Sequence, residues 1–582
     1  MPKIFINELD KTSAGTPNDY SNYAVLVTGF QKAIPEAGDN GLTAEELREL
    51  RESYADGNGV YEFSSEADFK KIIGCVAPKV SLNVGNADFA DTIEVYHYGN
   101  QIAYKLLELG YHVIYKPINQ TLADLKALAD DDFWSVFKDK ANYDFRFITH
   151  GLLKSADVNI DDEVQTELNE LKSRLELVNN AKDALDRIGK QAEENVQFPP
   201  PNQNFELVVW QNVLYSGSED DPDWEGEEIV GIRSQYPGFV AAGGRDPYET
   251  YAAAVDGIDE EHKELTAEIA DMEETVNNSQ FTVSDFNNVN KCIAKLAAKD
   301  DTNNGRGDCI ALIEVDENSY LNTTADNKPE KLISDAITGM SGVIGSNGTY
   351  CAVTVPSVVY KMTGEVDYDN NKKFPGAFHY LACFINSLKL GFNEWYAAAG
   401  YTRGVSNYTI DYTTVKLGEV AINALEPRNI SKETDPAFAC NVIANFRGSY
   451  YLWGNRTAAK LGDVNSVTDG DLKAKHFLNI RQLCTTIKKQ LYVACRRFTF
   501  DPNSDTLWFN FVNAIKPTLE AMKADQGIRD YKVLKVVENN PKKATLKAKI
   551  RIIPIEAVED FEIEVSLEDS FGETNAVTSD IQ

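Results

Sequence analysis

Apolar residues recur along the chain at two different periods, and segments with these two periods alternate. Short apolar runs bounded by polar or glycine-rich stretches are typical of buried strands. Segments with an apolar residue every three to four positions are typical of amphipathic helices. Strands are predicted at 23–30, 59–63, 111–118, 143–151 and 306–315. Helices are predicted between several of them, which indicates an α/β (α+β mixed) fold with some parallel strand pairing.

Two of the predicted helices carry clear boundary signals. Thr43 and Glu46 fit a capping box at the start of the first helix. Ser65 and Asp68 fit the start of the second helix, and Gly74 fits its end. These signals predict where each helix begins and, for the second one, where it stops.

The first 20 residues alternate apolar and polar positions and then become wholly polar. Alternation at period two predicts a strand, and the polar stretch after it reads as a linker. A strand without a partner can add to the sheet of a neighbouring molecule. We therefore predict that residues 1–20 are an extended arm that contributes Ile4, Phe5 and Ile6 to an intersubunit interface.

A long polar segment at about 152–280 interrupts the alternation of predicted strands and helices. Its first half has heptad spacing, with Lys182 where an apolar residue would continue the pattern. A second helix is predicted at about 258–276, and the prolines at 199–201 end the first. We predict an insertion whose helices pack together. The heptad positions are Val164, Leu168, Leu171, Leu175, Val178, Leu185 and Ile188.

The last third of the chain, 395–568, reads as a separate unit followed by a polar tail at 569–582. It contains the clearest amphipathic helix of the sequence, at 474–497. A second helix follows, and Pro517 is expected to kink or split it. Two strands, 545–553 and 560–568, come next. The first helix has a basic face that its apolar face does not need for folding: Arg481, Lys488, Lys489 and Arg496.

Composition narrows the classes of partner. The chain has 582 residues, of which 43% are hydrophobic and 25% charged, so a packed globular core is expected. The formal net charge is −33, which argues against direct nucleic-acid binding because phosphate recognition needs a basic surface. No apolar run approaches the roughly 20 residues of a membrane helix. The sequence thus predicts that the chain neither binds nucleic acid directly nor inserts into a membrane.

Motifs for catalysis and cofactor binding are not recognisable in the sequence. No two of the six histidines have metal-ligand spacing, and phosphate-loop and nucleophile-elbow motifs are missing. The turn at 56–59 partly matches a calcium loop, but Tyr54 and Ser65 stand where carboxylates are required. We therefore predict no catalytic residues, no cofactor, no metal and no enzymatic activity. A glycan hydrolase of unknown class stays open as an alternative, because carboxylates are plentiful.

Several stretches, in collinear order, resemble the tail sheath proteins of contractile-tailed phages. The opening PKIFINELD resembles that family's N-terminal arm, although it lacks the usual Pro-Gly pair. The segment WYAAAGYTRG at 395–404 is similar to the family pattern Trp-x-Ala-x-Ala-Gly-x-x-Arg-Gly. The segment LWGNRT at 452–457 is similar to its Trp-Gly-x-Arg-Thr signature. The residues that carry the two patterns as structural motifs include Trp395, Gly400, Arg403, Trp453 and Gly454.

The resemblance implies a multidomain subunit. Its inner domain would come from the N-terminal and C-terminal parts of the chain, with an outer α/β region at 21–394 that holds the helical insertion. Such subunits polymerise, as stacked hexameric rings, into a helical sleeve around a tail tube, an open assembly with two discrete packings. Contraction drives the tube through the host envelope. The implied partners are further copies of the chain and the tail tube, baseplate and tail terminator proteins. The implied location is the virion, after assembly in the host cytoplasm.

The resemblance also implies a role for the basic residues, because the C-terminal domain of such subunits lines the inner wall of the sleeve. The predicted contacts to the tube or lattice are Arg456, Arg481, Lys488, Lys489 and Arg496. Alternatively, these cations balance acidic groups within the same subunit. Two other assignments also stay open: the sheath of a type VI secretion or extracellular contractile injection system, and a static tail, baseplate or capsid component.

Overall fold

The computed structural model describes most of the chain, and the fold is given for these parts only. The described residues are 23–35, 42–86, 90–156, 162–194, 251–278, 280–299, 304–324, 327–340, 344–362, 372–425, 440–459, 473–536 and 546–557. The predicted arm at 1–20, the prolines at 199–201, the strand at 560–568 and the tail at 569–582 lie outside them.

The described strands number 15 and belong to four sheets. In chain order they are β1 (Ala24–Phe30), β2 (Tyr61–Phe63), β3 (Lys79–Asn86), β4 (Ala90–Tyr96), β5 (His112–Ile118), β6 (Phe147–Thr149), β7 (Ile310–Ile313), β8 (Cys351–Val355), β9 (Val358–Tyr360), β10 (Lys373–Phe374), β11 (Ile410–Thr413), β12 (Asn441–Phe446), β13 (Ser449–Trp453), β14 (Ile528–Lys535) and β15 (Ala548–Pro554).

The described α-helices surround the largest sheet or extend from it. In chain order they are α1 (Ala44–Tyr54), α2 (Glu66–Ile72), α3 (Gly99–Glu108), α4 (Leu122–Ala127), α5 (Asp131–Ser135), α6 (Asp162–Glu194), α7 (Tyr251–Asn278), α8 (Val283–Ala297), α9 (Asn318–Leu321), α10 (Pro329–Gly339), α11 (Gly376–Lys389), α12 (Gly400–Arg403), α13 (Glu419–Leu425), α14 (Leu478–Arg497) and α15 (Asp505–Ala524). Short 3₁₀ helices lie at Val136–Lys138, Gly345–Tyr350 and Ala474–His476.

An eight-stranded sheet with the order β13-β12-β8-β7-β6-β1-β5-β2 forms the centre of the molecule. Its inner strands pair in parallel, and the two outermost strands pair antiparallel with their neighbours. All seven residues of β1 are buried, as expected for a parallel strand covered on both faces. The predicted α/β class is confirmed.

Helices cover both faces of this sheet and create two apolar cores. Leu26 of β1 and Ile148 of β6 face one core, which includes residues of α4, α8 and α10. Val25 and Val27 face the other core, which includes residues of α2, α3 and α11. This two-sided packing is the arrangement that alternating strands and helices favour. We call the sheet with its covering helices the sheet body.

The predicted helix boundaries near the N-terminal part of the sheet are confirmed. The Thr43 hydroxyl accepts a hydrogen bond from the backbone of Glu46, and the Glu46 carboxylate accepts from the backbone of Thr43. The Ser65 hydroxyl accepts from the backbone N–H of Asp68 at the start of α2. Gly74 follows the end of α2 with a φ of +82°, a conformation that favours glycine.

The insertion contains a long helical hairpin. Helices α6 and α7 run antiparallel, and the Lys172 and Lys182 ammonium groups lie 2.7 and 2.6 Å from the Glu273 and Asp259 carboxylates. The polar Lys182 therefore pairs across the hairpin at a position where the heptad pattern expected an apolar residue. At the base of the hairpin the backbones of residues 156 and 281 exchange hydrogen bonds of 3.0 and 3.3 Å.

Helices α14 and α15 and the hairpin β14–β15 form a compact group, here called the C-terminal unit. Its small core includes Leu483, Ile487 and Leu519. The strands β12 and β13 belong instead to the eight-stranded sheet, which therefore crosses the boundary predicted at residue 395. Helix α15 continues through Pro517, so it is not split there. Because Pro517 is exposed, water can bond the carbonyl group that its missing N–H leaves free.

Candidate functional site

The two segments that resemble the sheath signatures meet at one edge of the sheet body. The backbone N–H of Leu452 in β13 donates a 2.7 Å hydrogen bond to the carbonyl of Gly404, just after α12. A Cβ at Gly404 would lie 2.4 Å from the Leu452 carbonyl oxygen, so this close approach requires glycine. Gly400, at the start of α12, has a φ of +82°. Arg403 donates from Nε to the Ala397 carbonyl at 2.7 Å and thereby closes the turn.

Trp453 lies at the end of β13 in a cluster of four aromatic rings. Its ring centroid is 5.2 Å from that of Tyr401 and 4.9 Å from that of Phe446. Tyr451 completes the cluster, and Tyr401 is 61% exposed. The sequence analysis named Trp453 as a residue of the second family-like pattern. The structure places that ring on the surface of the outermost strand of the sheet.

Gly454 and Arg456 are held by a buried asparagine of β12. The Asn441 amide donates to the Arg456 carbonyl at 3.0 Å, and its oxygen accepts from the Arg456 N–H at 2.8 Å. A Cβ at Gly454 would lie 2.9 Å from the Cα of Asn441. The Arg456 guanidinium lies over the Phe477 ring, and the residue is only 3% exposed. The prediction that Arg456 contacts the tube or the lattice is therefore corrected, because its own subunit covers it.

Trp395 connects the sheet body to the C-terminal unit. Its indole N–H donates to the Asp525 carbonyl at 3.1 Å, at the end of α15. Its ring also lies against Gly527, where an added Cβ would be 3.0 Å from the indole. The Asn479 amide of α14 donates to the Trp395 carbonyl at 3.2 Å. Trp395 thus contacts both helices of the C-terminal unit through one residue of the signature segment.

Arg146, at the start of β6, forms a second connection that was not predicted from the sequence. Its guanidinium donates to the Gln482 side chain at 2.7 Å, to the Gln482 carbonyl at 3.0 Å and to the Thr486 hydroxyl at 2.5 Å. Gln482 in turn donates to the Tyr380 hydroxyl at 3.0 Å. Arg146 is 4% exposed. A charged residue next to an apolar strand was the only available signal.

The basic face predicted on α14 is divided between two environments. Lys488 donates to the carbonyl of Gly307 at 2.7 Å, Lys489 pairs with Asp144, and Arg481 lies 4.2 Å from the centroid of the Tyr350 ring. These partners precede β7, β6 and β8, so the first part of α14 lies across the amino-terminal ends of the strands. The alternative that these cations balance acidic groups within the subunit fits Lys489, whose partner Asp144 is acidic. Lys488 is exposed, and the contact of these three cations with a tube or lattice stays a prediction.

The end of α14 differs from its beginning. Arg496 and Arg497 are exposed, and the Arg496 guanidinium lies 5.8 Å from the ring of Tyr492 on the same helix. Val493 and Phe500 nearby are 56% and 101% exposed. The interface role of Arg496 thus stays a prediction. The arm residues Ile4, Phe5 and Ile6 lie outside the described residues.

The carboxyl ends of the parallel strands, where open α/β sheets commonly bind ligands, are filled by paired polar groups. The Glu314 carboxylate accepts from the backbone N–H of Ala377 at 2.8 Å, and burial raises its pKa well above the usual value. Glu317 accepts from the Ser357 hydroxyl at 2.5 Å. His150, whose pKa burial lowers to about 4, lies 3.0 Å from the Asn290 amide oxygen.

The described residues contain no group of three or more histidine, cysteine or acidic side chains that could hold a metal ion. Among them, no helix is both long and apolar enough to cross a bilayer.

The chain matches no protein-family model and no curated protein. Among solved structures it is similar to a chain in the cryo-EM structure of the anti-feeding prophage (AFP) baseplate. That match has 11% identity and a TM-score of 0.46, and it covers 98% of this chain and 99% of the other. It is also similar to a chain in the cryo-EM structure of the contracted sheath complex of PVC, an extracellular contractile injection system. There the identity is 14%, the TM-score 0.33, and the coverage 45% of this chain and 65% of the other. Likenesses at these TM-scores are too distant to assign a function.

Proposed function

We propose that the chain is a structural, non-enzymatic subunit of a contractile tail sheath. Copies of it polymerise as a helical sleeve around a tail tube, as stacked hexameric rings, in an extended state. A signal from the baseplate releases contraction, and the sleeve drives the tube through a target envelope. The energy comes from repacking of the lattice between two discrete arrangements and not from a nucleotide.

The observation that carries this proposal is the pair of signature-like segments at 395–404 and 452–457. They are far apart in sequence, yet the Leu452–Gly404 hydrogen bond joins them directly. Trp395 of the first segment continues the connection to the C-terminal unit through Asp525. The two segments therefore pack on each other, and Trp395 of the first links them to the C-terminal unit.

The hairpin β14–β15 supports exchange of strands between subunits. Within the described residues, these two strands pair only with each other. A two-stranded sheet is marginally stable by itself, and both of its edges can accept another strand. The predicted arm at 1–20 would supply such a strand from a neighbouring copy. The lattice would then stay connected while the subunits move.

Within this class we propose the sheath of a phage tail, assembled in the host cytoplasm and carried in the virion for DNA delivery. Its further partners would be the tail tube, baseplate and tail terminator proteins. The sheath of a type VI secretion or extracellular contractile injection system is the nearest alternative. A static tail, baseplate or capsid component is the second, and it would form a single lattice.

Electron microscopy of the purified protein tests the proposal. We expect long hollow cylinders, and the contracted form is expected when the protein assembles without a tube. Assembly in the presence of tail tubes should add a second, longer form with a smaller diameter. Closed shells, isolated rings or monodisperse monomers at high protein concentration would contradict the proposal. A single cylinder geometry with and without tubes would favour the static component.

A further inference from the structure

An open polar cleft lies between the loop that follows α1 and the loop that precedes β6. Its volume is about 520 Å³, which falls within the roughly 300–1,000 Å³ range of small-ligand pockets. It shares no residue with the signature segments or the C-terminal unit. The side chains that define it are Tyr54, Asp56, Asn58, Glu62, Asn142 and Tyr143.

One wall of the cleft is fixed by a hydrogen-bonded group of three side chains. The Asp56 carboxylate accepts from the backbone N–H groups of Asn58 and Val60 at 2.8 and 2.9 Å, and its other oxygen accepts from the Tyr143 hydroxyl. The Asn58 amide donates to the same hydroxyl at 2.9 Å. Tyr143 is 3% exposed and packs edge-on against Phe137. The wall therefore keeps one geometry without a ligand.

The opposite loop is fixed in a similar way. The Asp139 carboxylate accepts from the backbone N–H of Ala141 at 2.8 Å and from the Asn142 amide at 2.7 Å. Binding groups that are already held in place lose little conformational freedom when a ligand arrives. The cleft is thus organised for binding before it is occupied.

The lining excludes several classes of ligand. Among the described residues, no lysine, arginine or histidine lines the cleft, so it does not suit an anion. Ala55 and Val60 are the aliphatic side chains that this part of the chain contributes to the lining, so it does not suit an apolar ligand. Both carboxylate oxygens of Asp56 already accept hydrogen bonds from the protein. The described residues offer no set of three metal-ligating side chains there or elsewhere.

Four exposed groups of the lining can still bond a ligand, and they share one chemistry. The Asn58 and Asn142 amides each donate one hydrogen bond within the protein, and each has a second N–H and an oxygen that can bond hydroxyl groups, as the Glu62 carboxylate can. The Tyr54 ring is 43% exposed at the same cleft and offers a flat apolar face with a polar tip. Hydroxyl groups around a ring with an apolar face are the features of a sugar.

We propose that this cleft binds a neutral saccharide, with Tyr54 stacked on the sugar ring and Asn58, Asn142 and Glu62 bonded to its hydroxyl groups. A binding site on the sheet body would let the particle adhere to a glycan. The proposal does not depend on the polymer described above, because the cleft lies within one copy of the chain. Its test therefore uses the unassembled full chain.

Ligand-observed NMR with the full chain tests the site. The probes are neutral oligosaccharides built from glucose, galactose, mannose or N-acetylglucosamine, each at millimolar concentration, and spermidine as a cationic competitor. We expect saturation transfer to at least one oligosaccharide. Tyr54→Ala and Asn142→Ala should each weaken that binding about fivefold or more, the loss expected for one contact of about 1 kcal/mol. Tyr54→Phe should retain most of it.

Tyr492→Ala is the matched control, because Tyr492 is an exposed tyrosine on α14, outside the cleft. It should leave the affinity unchanged, and thermal unfolding should show that all four variants are folded. Three results would overturn the proposal: no transfer to any oligosaccharide, transfer that neither Tyr54→Ala nor Asn142→Ala weakens, or displacement of the sugar by equimolar spermidine.

Discussion

Arg146 connects α14 to the sheet body through three hydrogen bonds. Its planar guanidinium reaches one side-chain amide, one carbonyl and one hydroxyl at the same time. A lysine carries a single ammonium group and cannot reproduce that fork. Because the site is buried, a lost contact leaves an acceptor without its partner.

Arg146→Lys should therefore lower the free energy of unfolding by about 2 kcal/mol. Urea denaturation of the unassembled subunit measures this change. Arg48→Lys is the control, since Arg48 is exposed on α1, and it should change the stability by less than about 0.5 kcal/mol. Equal stability of both variants would show that the Arg146 contacts contribute nothing.

His379 gives the molecule an acid-sensitive position. It is fully buried in α11, where Nδ1 lies 2.8 Å from the Tyr360 hydroxyl, and burial lowers its pKa to about 3. In the unfolded chain its pKa is about 6.5, so the unfolded state binds a proton first as the pH falls. This histidine therefore favours folding above pH 6.5, and that contribution is lost as the pH falls toward 3.

His379→Gln should flatten the dependence of stability on pH. Between pH 7 and pH 5 the native chain should lose about 2 kcal/mol through this residue, and the variant should not. Denaturant unfolding at both pH values measures the difference. His262→Gln on α7 should keep the full dependence. A variant that loses as much stability as the native chain over this interval would contradict the assignment.

At the site, the sequence could not predict which groups each charged side chain contacts. Helical spacing placed Arg481 and Lys488 on one surface, and that much was correct. Spacing cannot show what lies opposite that surface, because Tyr350 and Gly307 are distant in sequence. Gly404 and Gly454 have the same limitation, since the groups that approach them closely belong to Leu452 and Asn441.

At the scale of elements, strands with continuous apolar runs were predicted well. Each of the five predicted ranges contains a strand of the central sheet. The strands β12 and β13 were assigned to a different unit, although β12 pairs in parallel with β8. Local periodicity identifies a strand. It does not show which other strand will pair with it when the two segments are almost 90 residues apart.

The helical hairpin α6–α7 should be dispensable for folding of the sheet body. The backbones at its base already bond between residues 156 and 281, so a short loop can close the gap. Replacing 160–278 with a short Gly/Ser linker should leave the melting temperature of the sheet body within a few degrees of the native value. Under the proposed function, we expect the hairpin to project from the outer face of the sleeve, so cylinders should still form.

Thermal unfolding and electron microscopy together measure the effect of this replacement. Phe286→Ala in α8 is the contrasting variant. Phe286 follows the hairpin in the chain and is fully buried in the core of the sheet body. It should cost about 3 kcal/mol or more. Complete loss of polymer in the linker variant, with a folded subunit, would show that the hairpin carries lattice contacts.

The predicted arm should be needed for assembly and not for folding. Deleting residues 2–12 should give a soluble, folded subunit that no longer forms regular cylinders, because β14–β15 would lose its added strand. Ile4→Ser with Ile6→Ser should have the same effect. Lys3→Ser with Asn7→Ser changes the alternate positions and should assemble normally. Electron microscopy and sedimentation of each variant decide this, and normal cylinders from the deleted chain would exclude the arm from the lattice.

At the scale of the whole molecule, charge is unevenly divided. Residues 478–554 contain 15 lysines and arginines and 6 acidic residues, a net charge of +9 in a chain of −33. The rest of the chain therefore carries −42. Several of these cations are already neutralised inside the subunit, such as Lys489 by Asp144 and Lys535 by Asp505. What is presented outward is the exposed remainder, at the end of α14 and on β14–β15.

Under the proposed function, we expect the exposed Arg496 and Arg497 to bind the tail tube. Exposed ion pairs contribute up to about 1 kcal/mol each, so many weak copies would hold an extended sheath and still release it. Changing both residues to Glu should leave the unfolding free energy unchanged and prevent extended sheath from forming on tubes at ordinary salt.

Lys488→Glu with Lys489→Glu should instead destabilise the subunit, since those side chains bond the sheet body. Arg48→Glu with Lys331→Glu is the control with the same change of charge on exposed helices of the sheet body. Co-sedimentation with tubes across a salt series measures the grip, which should weaken steadily for the native chain as screening increases. Extended sheath formed equally well by the Arg496 and Arg497 variant would place the grip elsewhere on the C-terminal unit.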